Sequence, residues 1–296
     1  MQSSKIYDKI CDSKLDNFFV FGKSWSEGML KDFFYDEKIE YYSVIDYKNC
    51  IEISSQIIER EDFLPKSVIL FLVPYYTGET ENISRYAASF DYHIAIREIG
   101  ERLKAYILSQ FPNAKMRIFG DHSPIAERHA ALISGLGIAG DSGLLINEKY
   151  GTYVFIGDMI TDIPADILGS TPILPISHCC HCGACKRNCP TGILRQEGTA
   201  CLSEITQRKG ELSEDDKQLM KDYNTAWGCD VCQTSCPHNI NPVKTPIEFF
   251  YRDCIYSMTR PILDGMSKDQ FKKRAFSWRG RKTIERNLDI LSEKHQ

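Results

Sequence analysis

Several absences bound what this chain of 296 residues can be. No apolar run approaches the roughly 20 residues that cross a bilayer, and the opening stretch MQSSKIYDKICDSKLD has no secretory h-region. A membrane-spanning or secreted protein is therefore not expected, and the cytoplasm is the expected compartment. Apart from two cysteine runs there is no internal repeat, and no segment is low in complexity. A formal net charge of −4 argues against a protein that coats nucleic acid indiscriminately. Charged residues at 26% and hydrophobic ones at 43% are ordinary for a globular protein long enough to bury a full core and hold two domains.

What the chain does have is cysteine, 12 in all. In CCHCGACKRNCPTG, Cys179, Cys182, Cys185 and Cys189 fall at C-x2-C-x2-C-x3-C, followed at once by Pro190. Two-residue gaps let three thiolates converge on one [4Fe-4S] cube, while the fourth points to a second cube. That second cube needs its own ligands downstream, and Cys229, Cys232 and Cys236 supply C-x2-C-x3-C before Pro237. Zinc fits poorly because it takes two separated pairs. Disulfides suit small secreted scaffolds rather than a long chain without a signal peptide. Crossed ligation groups Cys179, Cys182 and Cys185 with Cys236, and Cys189 with Cys229, Cys232 and Cys201, the cysteine placed between the runs. Cys180 is left for local packing, and Cys11, Cys50 and Cys254 read as small apolar side chains.

Elsewhere the patterning predicts helix-like patches at Lys5–Phe19 and Cys50–Glu61, with FFYDEKIEYYSVIDY between them as core or interface. Ser67–Pro74, SVILFLVP, predicts a strand buried on both faces. Helical periodicity covers Ile83–Gln110. A short strand is expected at Lys115–Phe119, then a turn at Gly120, Asp121, His122 and Ser123. Ser123 is the expected N-cap, and Pro124 the first residue, of a helix ending at Gly135. Asp121 thus lies between a strand's carboxyl end and a helix start, where open α/β sheets bind ligands. GLGIAGDSG reads as a glycine loop, and Thr152–Ile160 as a further strand. Pro164, Pro172 and Pro175 mark an expected linker. SKDQFKKRAFSWRGRKTIER, Ser267–Arg286, carries eight Lys or Arg, with Phe271, Phe276 and Trp278 interleaved. It reads either as an amphipathic surface helix or as a phosphate-backbone contact.

GDHSPIAERHAALISGLG followed by LLI, then YVFIGDMITD, then the two cysteine runs with Cys201 between them, resemble the epoxyqueuosine reductase family. These are cobalamin-dependent iron-sulfur enzymes related in architecture to reductive dehalogenases. RYAASFDYH, CPTG, CDVCQTSCPHN and FKKRAFSWRGRKTIERN match in place, so the resemblance covers roughly Ser67 to Leu288. It implies an α/β (α+β) corrinoid-binding catalytic domain over 1–170, a ferredoxin-like double [4Fe-4S] domain over 171–255 and a basic helical tail over 256–296. It also implies base-off cobalamin, as cob(II)alamin, reduced through the clusters by an external donor of ferredoxin or flavodoxin type. The expected protein is a monomer that reduces epoxyqueuosine to queuosine in tRNA.

The family's catalytic proton donor falls on Asp121, for which the residues alone also allow a turn or capping role. A carboxylic acid beside a large apolar ring can hold its proton near neutral pH. Candidate cofactor contacts are Arg85, Tyr92, His93, Asp121, the Gly140, Asp141 and Ser142 loop, and Ser203; His93 reads equally as a structural histidine. Where the family loop carries Trp-Ile-Gly-Lys, this chain has Ile138, Ala139, Gly140 and Asp141. Two further readings stay open: a corrinoid reductase of a small molecule, as in the dehalogenases, and a ferredoxin-like electron carrier.

Overall fold

The computed structural model describes residues 29–54, 59–60 and 62–293. The patch Lys5–Phe19, Cys11, and residues 55–58 and 61 of the patch Cys50–Glu61 lie outside these. The chain divides into two compact units, residues 1–74 with 93–182 and residues 75–92 with 183–296.

The first unit is a four-stranded sheet built from β1 (Tyr42–Asp46), β2 (Ser67–Pro74), β3 (Met116–Phe119) and a later strand, Val154–Thr161, in the order β1, β2, Val154–Thr161, β3. Every pair is antiparallel. Strand β2 is buried at all eight positions because it is central and covered on both faces. On one face, Phe34 of α1 (Lys31–Asp36) stacks on Tyr42 at 4.3 Å and lies against Phe71. Helix α2 (Tyr92–Gln110) packs on the same face so tightly that a Cβ on Gly100 would overlap Ile118. On the other face Val68, Leu70 and Leu72 join Ile45, Phe119 and Ile160 in one cluster with Ala130–Ile133 of α3 (Glu127–Ile133).

Three expectations are corrected here. Helix α2 starts at Tyr92, not Ile83. The preceding residues contain a single 3-10 turn at Arg85–Ala87, and Ile83 is paired to Trp227 in an isolated bridge. Ser123 is not an N-cap: α3 begins four residues later, with Ala126 at its cap, because the Ser123 hydroxyl donates to Asp158 Oδ2 at 2.9 Å instead. The strand-end rule for parallel sheets does not apply to Asp121, since the sheet is antiparallel, although Asp121 does follow β3 directly. The glycine loop is a small hairpin, β4 (Ile138–Ala139) with β5 (Leu145–Ile146), ahead of β6 (Val154–Thr161). The proline-marked stretch holds the short helix α4 (Ala165–Leu168) and then runs along the first unit. There Thr171 N–H donates to Val44 O, Leu174 N–H to Ile133 O, and Cys179 N–H to Ala139 O.

The second unit has short helices and turns: α5 (Ala184–Asn188), α6 (Leu202–Gln207), α7 (Glu214–Asp222), α8 (Val231–Thr234), α9 (Arg260–Gly265), α10 (Lys268–Lys272) and α11 (Arg281–Ser292). Its core centres on Trp227, fully buried, with Ile83, Phe271, Phe276, Ile284 and Leu288 around it. Asn287, also fully buried, ties α11 inward by donating to Thr206 O and Ala226 O, each at 2.7 Å. The stretch Ser267–Arg286 is therefore not one amphipathic helix. Phe271 and Phe276 are core residues, and Arg274, 1% exposed, donates to the Asp253 carbonyl and carboxylate at 2.7 Å each. No helix among the described residues is long and apolar enough to cross a membrane.

Candidate functional site

Asp121 stands at the end of β3 in a left-handed conformation, φ 66°, followed by His122 at φ 56°. Two consecutive non-glycine residues in that region are uncommon and mark a backbone held by its surroundings. The Asp121 side chain is 54% exposed, and its Oδ2 lies 3.9 Å from Nε2 of His93 in the first turn of α2. The structure thus brings together two residues, His93 and Asp121, that lie on different elements.

Behind them are two acids that sequence reasoning missed. Asp158 faces Leu70 and Phe119 in the sheet register and is 0% exposed. Glu127 opens α3 and shares a helix face with the buried Ala130 and Ala131. The two carboxyl groups are within hydrogen-bond reach of each other. Burial, then the Asp121 charge, pushes Glu127 up to about 7; burial, then Glu127, raises Asp158 well above the carboxylate range. The available signal was a lone acid inside the apolar strand VFIGDMIT, where alternation leaves no solvent-facing place for it.

In the hairpin, Gly140 N–H donates to Leu144 O at 2.9 Å, and Gly143 N–H returns to Gly140 O. Ser142 lies in that turn. Asp141 Oδ1 is 2.8 Å from Nδ1 of His181, and with Cys179 Sγ these atoms lie within 4.8 Å of one another. Cys182 lies in the same unit.

The other six candidate ligands belong to the second unit. Cys185 is buried in α5, Cys189 follows that helix, Cys201 caps α6, and Cys229 precedes α8, which carries Cys232. Cys236 comes just before a 3-10 turn at Pro237–Asn239. Burial, then the neighbouring charges of Cys201, Asp230 and Cys189, pushes Cys229 up to about 12, although the Val231 N–H opposes this. Burial, then Cys229, Cys201, Asp230 and Cys185, pushes Cys232 up to about 12 as well. Burial also works against ionised Cys189, but the Leu194 N–H and the Thr191 hydroxyl outweigh it and hold that thiol below its ordinary value. Cys185, Cys189, Cys201, Cys229 and Cys232 thus form a crowded set of sulfurs. Such thiols ionise together only around a positive metal core, the donor chemistry an iron-sulfur cluster requires.

Gly228 permits this placement. Its φ is 76°, and a Cβ there would collide with that of Ser84. Of the other candidates, Arg85 is 10% exposed and committed: its backbone N–H donates to Asp230 Oδ2 at 2.7 Å, Nη1 reaches the same oxygen at 3.2 Å, and Nη2 pairs with Glu79. Tyr92 opens α2. Ser203 Oγ accepts from Gln207 Nε2 at 3.1 Å, one turn along α6. Among the other cysteines, Cys50 packs against the first unit's core with its thiol pushed up to about 12 by burial and then Asp158. Cys254 donates to Phe250 O at 2.9 Å, and Cys180 is half-buried.

Two family profiles match the chain: "Epoxyqueuosine reductase QueG, DUF1730" over residues 63–122 and "4Fe-4S double cluster binding domain" over residues 178–239. The epoxyqueuosine reductase of Listeria monocytogenes is 32% identical over 228 residues, 72% of this chain and 57% of that protein. That of Staphylococcus aureus is 31% identical over 284 residues, 88% of this chain and 72% of that protein. The first relatives it matches are thus covered over little more than half their length. The structure of epoxyqueuosine reductase from Streptococcus thermophilus superposes with a TM-score of 0.72 at 22% identity, covering 90% of this chain and 80% of that one. A crystal structure of epoxyqueuosine reductase with an epoxyqueuosine-modified tRNA-Tyr stem loop gives 0.68 at 22% identity, covering 88% and 80%. The fold is shared, the 4Fe-4S double cluster domain is present, and this chain belongs to the epoxyqueuosine reductase family.

Proposed function

We propose that the chain is an oxidoreductase that reduces epoxyqueuosine to queuosine in tRNA, with two [4Fe-4S] clusters and a cobalamin. One observation carries this reading: a chain with a double-cluster domain also holds the half-exposed Asp121 carboxyl beside His93, open to a bound group rather than sealed in core. Cys179, Cys182, Cys185 and Cys236 hold one cube and Cys189, Cys201, Cys229 and Cys232 the other, the grouping that crossed ligation of the two cysteine runs gives. The corrinoid, when bound, supplies the low-potential reducing centre; cluster potentials extend far enough below zero to recharge it. His93, Asp121 and the hairpin residues Gly140, Asp141 and Ser142 are its contacts in the first unit.

Asp121 donates a proton to the departing epoxide oxygen, and His93 orients it. The exposed Lys268, Lys272, Lys273 and Lys282, with Trp278 at 58% exposure and Arg279 stacked on it at 3.8 Å, contact RNA phosphates and bases. The protein works as a cytoplasmic monomer fed by a ferredoxin or flavodoxin.

The test is anaerobic turnover of epoxyqueuosine-containing tRNA with and without added cobalamin. About eight irons per chain and cobalamin-dependent queuosine formation are expected. A cluster-loaded protein that refuses cobalamin, or leaves the tRNA unchanged, would sink the reading. Asp121→Asn should lower turnover by about a hundredfold or more with iron content intact.

A further inference from the structure

The proposed reaction calls on one acid, Asp121, yet two more carboxyl groups lie beside it, Asp158 fully buried and Glu127 partly so, and among the described residues His93 is the one cationic group acting on either. Asp158 Oδ1 and Glu127 Oε2 are both fully buried and have no hydrogen-bond partner when both groups are ionised. Asp158 Oδ2 is already engaged by the Ser123 hydroxyl. Among the described residues, the charged groups that act on the pair are Asp121 and His93, both on Glu127. Arg128, the next residue of α3, is turned away onto Gly143 O. The Cys50 thiol beside Asp158 stays protonated and neutral. Two facing carboxylates in that setting repel and leave two acceptors empty; one proton between them removes the repulsion and satisfies both oxygens.

We propose that Glu127 and Asp158 hold a single shared proton and form the store from which Asp121 is reprotonated during turnover. This rests on the reading of Asp121 as the proton donor. Removing an epoxide oxygen as water breaks both C–O bonds, forms one C=C bond, and takes two electrons and two protons. The electrons come from the external donor through the clusters. Asp121 supplies the first proton and becomes a carboxylate. The pair passes its proton to that carboxylate and is left doubly ionised, Asp121 delivers the second proton, and water recharges the pair between turnovers. Glu127 and Asp158 never touch substrate, so they are positioning residues acting through Asp121. The rise of Glu127 to about 7 suits a group that must both hold and release a proton near neutral pH.

Glu127→Gln and Asp158→Asn separate a store from a structural pair, because each amide can still hydrogen-bond to the remaining acid. Isotope-edited infrared spectroscopy of the cluster-loaded protein, without substrate, should show a protonated carboxyl band near neutral pH in the wild type and in Asp121→Asn. The band should shift in heavy water, change frequency in either pair variant, where the remaining acid keeps its proton, and vanish in the double variant. Steady-state turnover should fall by about tenfold to a hundredfold in each variant, the alkaline limb of the pH profile should move, and the double variant should be no slower than the slower single one. Absence of the band, or wild-type turnover with an unmoved pH profile in both folded variants, overturns the store. Wild-type protein that never acts on epoxyqueuosine-containing tRNA yet shows the band overturns the proposed function and leaves the shared proton standing.

Discussion

Two buried aspartates, one in each unit, meet the same problem in opposite ways. Asp230, 9% exposed, is surrounded by donors: the Ser84 hydroxyl, the Arg85 backbone N–H and guanidinium, and Gln233 Nε2. Asp158, 0% exposed, receives one hydroxyl and faces a second acid. A buried carboxylate with a full complement of donors is a brace, and removing it strands its partners. One without them stays unresolved until a proton arrives, which is why such groups gather beside catalytic residues.

The contrast can be broken from either side. The largest effect should follow Asp230→Ala, which takes from the nearly buried Arg85 the buried one of its two carboxylate partners. We expect a loss of about 4 kcal/mol in anaerobic urea unfolding, read by cluster absorbance together with far-UV circular dichroism. Gly228→Ala tests the same brace from the backbone. A left-handed alanine pressed on Ser84 should cost about 3 kcal/mol and lower iron content.

On the other side, Glu127→Gln should flatten the pH dependence of unfolding. Because Glu127 is raised from 4.5 to about 7 in the fold, its contribution is fully present below pH 4.5 and is lost as pH climbs through about 7. The wild type should therefore lose about 3 kcal/mol relative to the variant over that window; parallel curves would mean the pair is not protonated. Least should change with Arg102→Ala. Its bidentate bond to Glu37 at 2.6 Å lies on the surface, and less than about 1 kcal/mol should be lost.

Much of the first unit was legible because its strands are locally distinctive. SVILFLVP has no solvent-facing position, and Lys115–Phe119 and Thr152–Ile160 were placed to within two residues of β3 and β6. Their antiparallel order was not legible, since an apolar run reads alike in either direction of pairing. Arg85–Ala87 was drawn into a long helix because its periodicity continues that of α2. What ended the helix was Ser84 and Trp227 meeting through a backbone hydrogen bond at 2.7 Å, a partner far along the chain. In the tail the aromatics looked available for stacking, but Phe271 and Phe276 fill the core and only Trp278 of the three is exposed.

By itself the sequence determined the cysteine runs, the buried strand and the position of Asp121, because ligand spacing and apolar runs are properties of neighbouring residues. The tertiary structure alone decided which charges would be answered. Asp230 meets Arg85 across 145 positions, and Asp158 meets the turn at Ser123 across 35. Whether a buried carboxylate finds donors or another acid depends on which strand lies against which helix, and no local pattern encodes that.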